Sequence, residues 1–359
     1  MTKATILYLL TMAIFISVAM AKRQDFEDAV KAHKLKNEKR KKKEKDDKNV
    51  KKKALWEADL YDDINYDDDD ALKSMLGSVE VSENAPVATE GDDVDIDESQ
   101  QNDSNGENRR KRLLQSVIPI NKDLRTDYPN CISVSNIRNQ SACGSCWAFS
   151  AATVASDQYC IQKKINRSFS ANDLLTCCAN CAAVRGNGCQ GGYLNRAFDY
   201  MKATGLTTGE AFGDTTQCKP YFLSPKPTAM GVAPACTSSC AVSSISNEKI
   251  KIASYKTISG ESAMINEIAT RGSLSSAFIV YKDFYLYRSG IYKSDMLTAY
   301  GGHAIKIIGY GVDAITKTKF WIIANSWGTG WGEKGFFRMV RGENNCNLER
   351  FTSFSVTFA

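Results

Sequence analysis

Apolar and polar positions follow two different periods along the chain, and each period dominates its own region. Between residues 145 and 163, apolar side chains recur every three or four positions, which predicts an amphipathic helix. Ser145 is a residue type that favours the N-cap position, so Cys146 is expected in the first turn. The same spacing over shorter windows predicts further helices at 172–176, 195–203 and 262–271.

The last hundred residues change to short apolar runs that are punctuated by glycine. These runs predict strands at 277–280, 303–310, 320–324 and 335–340. Helices that precede strands in this way predict an α+β protein with two lobes. A side chain near residue 146 would then lie on the helical lobe, and one near residue 303 would lie on the strand lobe.

The first 21 residues have the pattern of a secretory signal peptide. Lys3 provides a positive start, residues 6–19 are apolar, and residues 19–21 end in a small-x-small pattern. The apolar run is short for a membrane span. No other segment of the sequence is both apolar and long enough. We therefore expect a protein of the secretory pathway, either secreted or lysosomal.

Charge separates residues 22–117 from the remainder of the chain. Residues 1–117 carry 21 Lys and Arg against 25 Asp and Glu, a net of −4, whereas residues 118–359 carry 25 against 16, a net of +9. Lys and Arg crowd 39–53 and acids crowd 57–107; such blocks bury little apolar surface and are poorly ordered. A nucleic-acid contact for the basic block remains an alternative, although the acidic block and the signal peptide argue against it.

Four consecutive basic residues, 109–112, close this charged region. Such a cluster is typical of cleavage by secretory-pathway proteases, and the alternative is an exposed basic loop. We expect residues 22–117 to be a removable propeptide and residues 118–359 to be the mature globular domain.

All 12 cysteines lie between 131 and 346. In an oxidising compartment disulfides are the default, although spacing does not determine which cysteines pair. A zinc site remains the alternative, since Cys143 with Cys146, and Cys177 with Cys178 and Cys181, have the spacing of metal ligands.

The chain contains two histidines, and one of them, His33, lies in the charged leader. His303 is therefore the single candidate base in the globular part. Cys146 precedes it, Asn325 follows it, and Gln140 lies six residues before the cysteine. These residue types in this order are the parts of a thiol protease.

The segments around these residues resemble the papain-fold cysteine proteases, and the match runs from residue 118 to the C-terminus. The motifs that carry the resemblance are residues 143–149, 301–304 and 325–328. Further segments resemble the cathepsin B group in particular: 174–178, 188–193, 217–221 and, in the leader, Trp56 with 72–77. The resemblance implies a two-lobed fold with a helical left lobe, a β-barrel-like right lobe and the active site in the cleft between them.

The resemblance also implies a role for each site residue. Cys146 would give its proton to His303, Asn325 would orient the imidazole ring, and Trp327 would cover their hydrogen bond. The Gln140 amide and the Cys146 backbone N–H would stabilise the oxyanion. Substrate would be bound by Gly144, Gly191, Gly192, Gly302, Trp327 and Phe351; Gly191 and Gly192 could alternatively be turn formers.

The family pairing of cysteines would leave Cys146 and Cys346 free. The implied disulfides are Cys131–Cys160, Cys143–Cys189, Cys177–Cys236, Cys178–Cys181 and Cys218–Cys240. No cofactor and no metal is expected. The expected partners are protein or peptide substrates, the enzyme's own propeptide as an inhibitor, and cystatin-like inhibitors. Nucleic acid is not expected, and the mature form is expected to be a monomer.

Two departures from the cathepsin B pattern bear on specificity. The segment 219–235 lacks the His pair and the extra cysteine pair of the loop that blocks one side of the cleft in that group, and Lys219 and Lys226 are its only cations. Phe351 stands where relatives carry a Glu in a specificity pocket. We therefore expect an endopeptidase. The alternatives are a carboxy-terminal dipeptidyl exopeptidase and a non-catalytic binding protein on a protease scaffold.

Three sequons occur, at Asn102, Asn139 and Asn166. Asn102 would be lost with the leader, and a glycan on Asn139 would obstruct the cleft beside Gln140. Asn166 is the expected glycosylation site.

Overall fold

The computed structural model describes residues 23–39, 55–61, 64, 66, 69–77, 118–226 and 230–359. The signal segment 1–21, the basic cluster 109–112 and the sequon at Asn102 lie outside the described residues. Within the leader, the structure contains a helix over 23–39 (α1), strand β1 (Trp56–Ala58) and helix α2 (Asp69–Ser74). No helix among the described residues combines the length and apolar character that a membrane span requires.

The four predicted helices are present, with boundaries within two residues of the prediction. The helices of the globular part are α3 (Leu124–Asp127), α4 (Ile132–Ser135), α5 (Cys146–Lys163), α6 (Ala171–Cys177), α7 (Leu194–Ala203) and α8 (Glu261–Thr270). Short 3₁₀ helices cover Lys282–Leu286 and Asn345–Asn347. Helix α5 differs from the prediction in one respect, because it is buried on nearly every face and not on one stripe. It lies against both lobes, so its polar side chains are buried as well.

Ser145 occupies the N-cap position of α5, but its side chain makes no capping hydrogen bond. The hydroxyl instead lies 2.9 Å from the hydroxyl of Tyr221 and 3.5 Å from the carbonyl oxygen of Cys143. The predicted N-cap position of Ser145 is confirmed, and Cys146 is in the first turn, although the Ser145 side chain does not cap the helix. A buried hydroxyl takes the best available partner, and the loop around Tyr221 brings one closer than the helix end does.

The strand lobe contains the four predicted strands. The strands are β2 (Lys122–Asp123), β5 (Ser254–Ile258), β6 (Leu274–Tyr281), β7 (Tyr287–Tyr292), β8 (Ala299–Val312), β9 (Lys319–Ala324), β10 (Phe336–Val340) and β11 (Ser353–Thr357). With β1 they form one sheet in the order β1-β7-β10-β9-β8-β6-β11-β5, and β2 pairs with β8. The path from β1 to β5 is open, so among the described residues the barrel-like lobe is not a closed barrel. A small hairpin, β3 (Ala182–Val184) with β4 (Asn187–Gly192), belongs to the helical lobe.

Two clusters of buried apolar side chains provide a separate core for each lobe. One cluster gathers the sheet residues, among them Phe278 and Trp321, and the other surrounds α5 and includes Trp147 and Phe198. The long strand β8 pairs with β6 with Ala277 opposite Ala304, beside the N-terminus of α5. The boundary between the two cores therefore coincides with the place where Cys146 and His303 meet.

The described part of the leader packs against the strand lobe. Helix α1 buries Phe26 and Val30 in the core of that lobe. Strand β1 adds to the sheet edge, with Trp56 opposite Gly290 of β7. A core and an edge strand thus hold the leader on the globular domain before it reaches the cleft.

The disulfides in the structure are the five pairs that the family resemblance implies, and Cys146 and Cys346 are free and buried. The zinc alternative is wrong, because Cys143, Cys177, Cys178 and Cys181 are each bonded to another cysteine.

Candidate active site

Cys146 begins helix α5 and is completely buried. Its Sγ accepts a hydrogen bond from the backbone N–H of Ala304 at 3.4 Å. Ala304 follows His303 on strand β8, so this contact joins the helix that carries the thiol to the strand that carries the imidazole. The cysteine and the histidine, 157 residues apart in sequence, are brought to the same point of the cleft.

His303 and Asn325 form the hydrogen bond expected of the pair. His303 Nε2 lies 2.7 Å from Asn325 Oδ1, which also accepts the backbone N–H of Ser326 at 2.8 Å. The second bond identifies Oδ1 as the acceptor atom, so Nε2 carries the proton. Nδ1 of His303 is buried and makes no hydrogen bond to any described residue. This tautomer leaves Nδ1 as the nitrogen available to take a proton from the thiol.

Trp327 covers the His303–Asn325 bond. Its ring centroid lies 5.0 Å from the imidazole and 5.3 Å from the ring of Tyr285, on which it stacks almost parallel. Trp327 is nearly fully buried. The arrangement keeps water from the hydrogen bond and thereby strengthens it, because a low local dielectric makes such bonds stronger.

Gln140 is held as a fixed donor beside the cysteine. Its Oε1 accepts the Ser326 hydroxyl at 2.5 Å, and its Nε2 donates to the carbonyl oxygens of Cys143 at 2.8 Å and Met75 at 2.9 Å. The Tyr221 hydroxyl also donates to the Gln140 carbonyl oxygen at 2.8 Å. Sequence reasoning missed Tyr221 and Ser326 as supports of this donor. Their positions were within quoted motifs, but nothing in the sequence indicated their contacts.

The leader crosses the cleft directly over these groups. Gly77 donates its N–H to the Gly302 carbonyl oxygen at 3.1 Å, and its own carbonyl accepts the Gly192 N–H at 2.8 Å. A side chain at Gly77 would place Cβ 1.9 Å from the Gly144 oxygen. The predicted substrate-binding glycines 144, 192 and 302 therefore all contact the leader backbone, which occupies the space that a substrate would need.

Gly192 has a second reason to lack a side chain. A Cβ at this position would lie 2.4 Å from the indole ring of Trp147. Gly191 beside it has φ near +94°, a left-handed conformation that favours glycine. The pair thus serves as a turn and also leaves a flat backbone surface along the cleft, so the two interpretations of these glycines are compatible.

Burial shifts the pKa values of Cys146 and His303 in opposite directions. Burial raises the pKa of Cys146 to about 12, and hydrogen bonds from Ala304 and Gly77 oppose it only in part. Burial lowers the pKa of His303 to about 4, against a smaller raising effect of the Asn325 bond. The thiol and the imidazole are therefore both neutral at ordinary pH. The positive end of a helix lowers the pKa of a thiol in its first turn, but for Cys146 burial outweighs that effect.

A model of the papain family cysteine proteases matches residues 118–356, which include Cys146, His303, Asn325 and Gln140. The chain belongs to the papain family of cysteine proteases. Cathepsin B-like cysteine proteinase 4 of Caenorhabditis elegans is 36% identical over 317 residues, which are 83% of this chain and 87% of the relative. A cathepsin B-like cysteine proteinase of Schistosoma japonicum is 41% identical over 253 residues, 66% of this chain and 72% of the relative.

The fold is also similar to that of a solved cathepsin B structure. The solved structure of proCathepsin B S9 from Trypanosoma congolense superposes with a TM-score of 0.68 at 28% identity, covering 84% of this chain and 93% of that chain. The chain is thus a cysteine-type peptidase of the cathepsin B-like group.

In this peptidase Phe351 is buried in the core of the helical lobe, in the cluster that also contains Cys146 and Ala304. Glu349, two residues before Phe351, is the acid nearest to it in the sequence that follows Cys346. Its carboxylate instead accepts the Trp321 indole N–H at 3.0 Å and the N–H groups of Gly342 and Asn344 at 2.6 and 2.8 Å. Because the Glu349 carboxylate is hydrogen-bonded within this turn, Phe351 remains the candidate residue for the specificity pocket.

Lys219 and Lys226 are the two cations of the loop 219–235 that could bind the terminal carboxylate of a substrate, and one of them is not available. The Lys219 ammonium is buried, 2.7 Å from Asp173 Oδ1 and 2.6 Å from the Thr237 carbonyl oxygen. The Lys219 side chain therefore connects the loop to helix α6, and its ammonium group cannot turn towards the cleft. Lys226 is exposed, and residues 227–229 lie outside the described residues.

The two sequons of the globular part differ in surroundings. Asn166 is exposed, with its amide donating to the Asn130 carbonyl oxygen at 2.8 Å and accepting from the Ile132 N–H at 2.9 Å. Asn139 lies next to Gln140 and pairs with Trp327 through a backbone bridge. A glycan on Asn139 would therefore meet the catalytic residues, whereas one on Asn166 would extend into solvent.

Proposed function

We propose that the mature peptidase cleaves peptide bonds within protein chains, with Cys146 as nucleophile and His303 as general base and acid. The observation that carries this proposal is the convergence of Cys146, His303, Asn325 and Gln140 beneath a leader backbone that lies along the cleft. Once the leader leaves, solvent returns to the pair. Proton transfer from Cys146 to His303 Nδ1 then yields a thiolate and an imidazolium, the reactive form of such a pair.

Each later step uses a group that is already in position. The thiolate attacks the substrate carbonyl, and the oxyanion takes the Gln140 Nε2 donor that Met75 occupies in the covered state, together with the Cys146 backbone N–H. One such donor is typically worth about 2.7–4 kcal/mol of transition-state stabilisation. His303 protonates the leaving amine, and water then releases the acyl-enzyme with His303 as the base.

We propose an endopeptidase because the loop 219–235 lacks a suitable carboxylate receptor. An exopeptidase that trims from the carboxy end needs a cation placed against the terminal carboxylate of the substrate. Lys219 is consumed by Asp173, and the loop has no histidine. Lys226 is the remaining cation, a single flexible point charge. We expect long chains to pass through the cleft.

We further propose that the chain is made as a secretory or lysosomal zymogen. The leader blocks the cleft, and the five disulfides suit an oxidising compartment. Residues 1–21 would be the signal peptide and residues 22–117 the propeptide. Cleavage at 109–112, followed by trimming toward Ile118, would release residues 118–359 as the active enzyme, with a glycan at Asn166. N-terminal sequencing of the active form should give a start between Leu113 and Ile118, and a fully active uncleaved chain would contradict this.

The deciding experiment digests a long peptide with a free carboxylate and the same peptide amidated, using the processed enzyme and a Cys146→Ser control. We expect internal cuts in both peptides, dependence on a thiol reductant, and no cleavage by the control. Stepwise release of dipeptides from the free carboxylate, suppressed by amidation, would instead establish the exopeptidase. Absence of any hydrolysis by the processed enzyme would support the non-catalytic alternative.

A further inference from the structure

Three hydroxyl side chains lie buried on helix α5, and one of them behaves differently. Thr153 donates to the carbonyl oxygen of Phe149 at 2.8 Å, and Ser156 donates to that of Ala152 at 2.8 Å, so both donate within their own helix, although the Ser156 oxygen also accepts the Phe169 N–H at 2.9 Å. Ser150 instead crosses to the sheet, where its Oγ donates to the Ile305 carbonyl oxygen at 2.6 Å. The same Oγ lies 2.6 Å from the hydroxyl of Ser275 on β6.

The hydrogen bond from Ser150 to Ile305 lies one helical turn from Cys146 and two residues from His303. Ser150 is four residues after Cys146 and therefore lies on the same helix face, about 6 Å along the axis. Ile305 is two residues after His303, about 6.6 Å along the strand. The two contact points are thus nearly equally far from the reacting groups, so a shift at the Ser150 end is transmitted to the catalytic end with little attenuation.

The seam between helix and strand contains few other polar contacts. Among the described residues, α5 and β8 are joined by the Ala304 N–H to Cys146 contact, by Ser150 to Ile305, and by the buried ion pair of Lys306 with Asp157 at 3.0 Å. The first contact contains the nucleophile itself, and the last lies about three helical turns away. Ser150 is therefore the nearest polar contact that fixes the helix against the strand beside the active site.

A structural role in packing alone does not account for Ser150. Alanine forms helices better than serine and would leave no polar group to satisfy in this buried position. The neighbouring positions 148, 151, 152 and 155 of the same helix are in fact alanine. A buried serine whose hydroxyl spans both lobes has a directional bond, which apolar packing lacks.

We propose that Ser150 is a positioning residue, which sets the separation of Cys146 and His303 by bonding helix α5 to the Ile305 carbonyl and to Ser275. The inference rests on the proposed function, because it concerns the geometry of that catalytic pair. It acts through the pair and touches neither substrate nor the reacting atoms. Its loss should therefore change how well the pair works, with little effect on how substrate binds.

The test compares Ser150→Ala with Thr153→Val in the processed enzyme. Thr153 is the matched control, since it lies on the same helix and its substitution removes only a bond within that helix. Ser150 and Thr153 both line a small cavity of about 20 Å³ beside Asn325. We expect kcat of Ser150→Ala to fall roughly 10- to 100-fold with KM changed less than about twofold, since a displacement of about 1 Å costs up to about 100-fold. The control should stay within about threefold of the unaltered enzyme.

The pH profile separates positioning from a general loss of stability. A longer distance between thiolate and imidazolium weakens their mutual stabilisation, so the acid limb of kcat/KM should move up in pH and the alkaline limb should move down. Ser275→Ala should give a smaller effect of the same kind. The double variant should lose less than the product of the two single losses, because both hydroxyls serve one contact.

The outcomes distinguish the two proposals. If the unaltered processed enzyme shows no thiol-dependent hydrolysis, the proposed function fails. If that enzyme is active but Ser150→Ala has an unchanged pH profile and loses no more kcat than Thr153→Val, the positioning role of Ser150 is overturned. Should Ser150→Ala not fold, Ser275→Ala decides alone: an unchanged profile and kcat would overturn the proposal, and a narrowed profile would support it.

Discussion

Replacing Gly77 by alanine should release the covered active site. The added Cβ would lie 1.9 Å from the Gly144 oxygen and 2.9 Å from the Gly144 Cα, both backbone atoms that cannot rotate away. To reach even 3.0 Å from that oxygen the leader must move by at least about 1.1 Å, and this strains both hydrogen bonds of Gly77, to Gly302 and to Gly192.

The magnitude follows from the bonds that such a shift breaks. Each neutral hydrogen bond contributes about 0.5–1.5 kcal/mol net, so the two bonds of Gly77 amount to about 1–3 kcal/mol. At 1.4 kcal/mol per factor of ten, the open population of the zymogen should rise about 5- to 150-fold. Loss of the bond between Gln140 and Met75, which lies two residues before Gly77, would add to this effect.

The assay measures alkylation of Cys146 in the freshly purified zymogen by brief exposure to iodoacetamide near pH 7, with the labelled residue mapped by mass spectrometry. Cys346 is the other free and buried cysteine, and it serves as an internal reference for the reactivity of a buried thiol. Labelling of Cys146 should accelerate by the factor above, while that of Cys346 should not change.

Lys73→Ala is the control, because Lys73 is exposed in leader helix α2 four residues before Gly77, and its ammonium lies over the Tyr300 ring, 5.9 Å from the ring centroid. It should alter Cys146 labelling by at most about two- to fivefold, since such exposed contacts are worth at most about 0.5–1 kcal/mol. If Gly77→Ala labels Cys146 no faster than Lys73→Ala does, the close approach of Gly77 to Gly144 does not hold the leader in place.

Three further predictions concern other residues. Burial raises the pKa of Asp283 from 3.8 to about 6, so the ionised carboxylate destabilises the folded state as the pH rises through this window. The variant Asp283→Asn should therefore raise the free energy of unfolding of the zymogen, measured by thermal unfolding, by about 1–2 kcal/mol at pH 7 and by nothing below pH 3.8. Phe351→Glu should raise kcat/KM for Arg relative to Leu at the second residue before the cut, because a buried Arg needs a carboxylate partner; an unaltered enzyme that already prefers Arg would contradict this role. Lys219→Met should lower stability by roughly 1–3 kcal/mol, because Lys219 is bonded to Asp173. The ratio of internal to terminal cleavage should stay unchanged, and a changed ratio would show that Lys219 reaches the cleft.

The fold class and the identity of the catalytic groups were accessible from the sequence. Helical spacing over 145–163 and glycine-punctuated apolar runs after residue 270 report local backbone preference, and the structure places helices and strands there. A single histidine in the globular part left His303 as the only base for Cys146, and the structure brings it to Asn325 at 2.7 Å. These features depend on nearby residues or on residue types that the chemistry requires, so the sequence alone determines them.

Contacts between distant segments were decided by the tertiary structure. Periodicity could not show that α5 is buried on nearly every face, or that the Ser150 hydroxyl leaves its own helix for a carbonyl 155 residues away. The charge of Lys219 suggested a receptor for substrate, until Asp173 was found 2.7 Å from it. The raised pKa of Cys146 likewise follows from burial among segments that are distant in sequence, including Gly77 of the leader and Ala304 of β8. Burial and partner choice depend on which surfaces meet, and a local pattern contains no record of that.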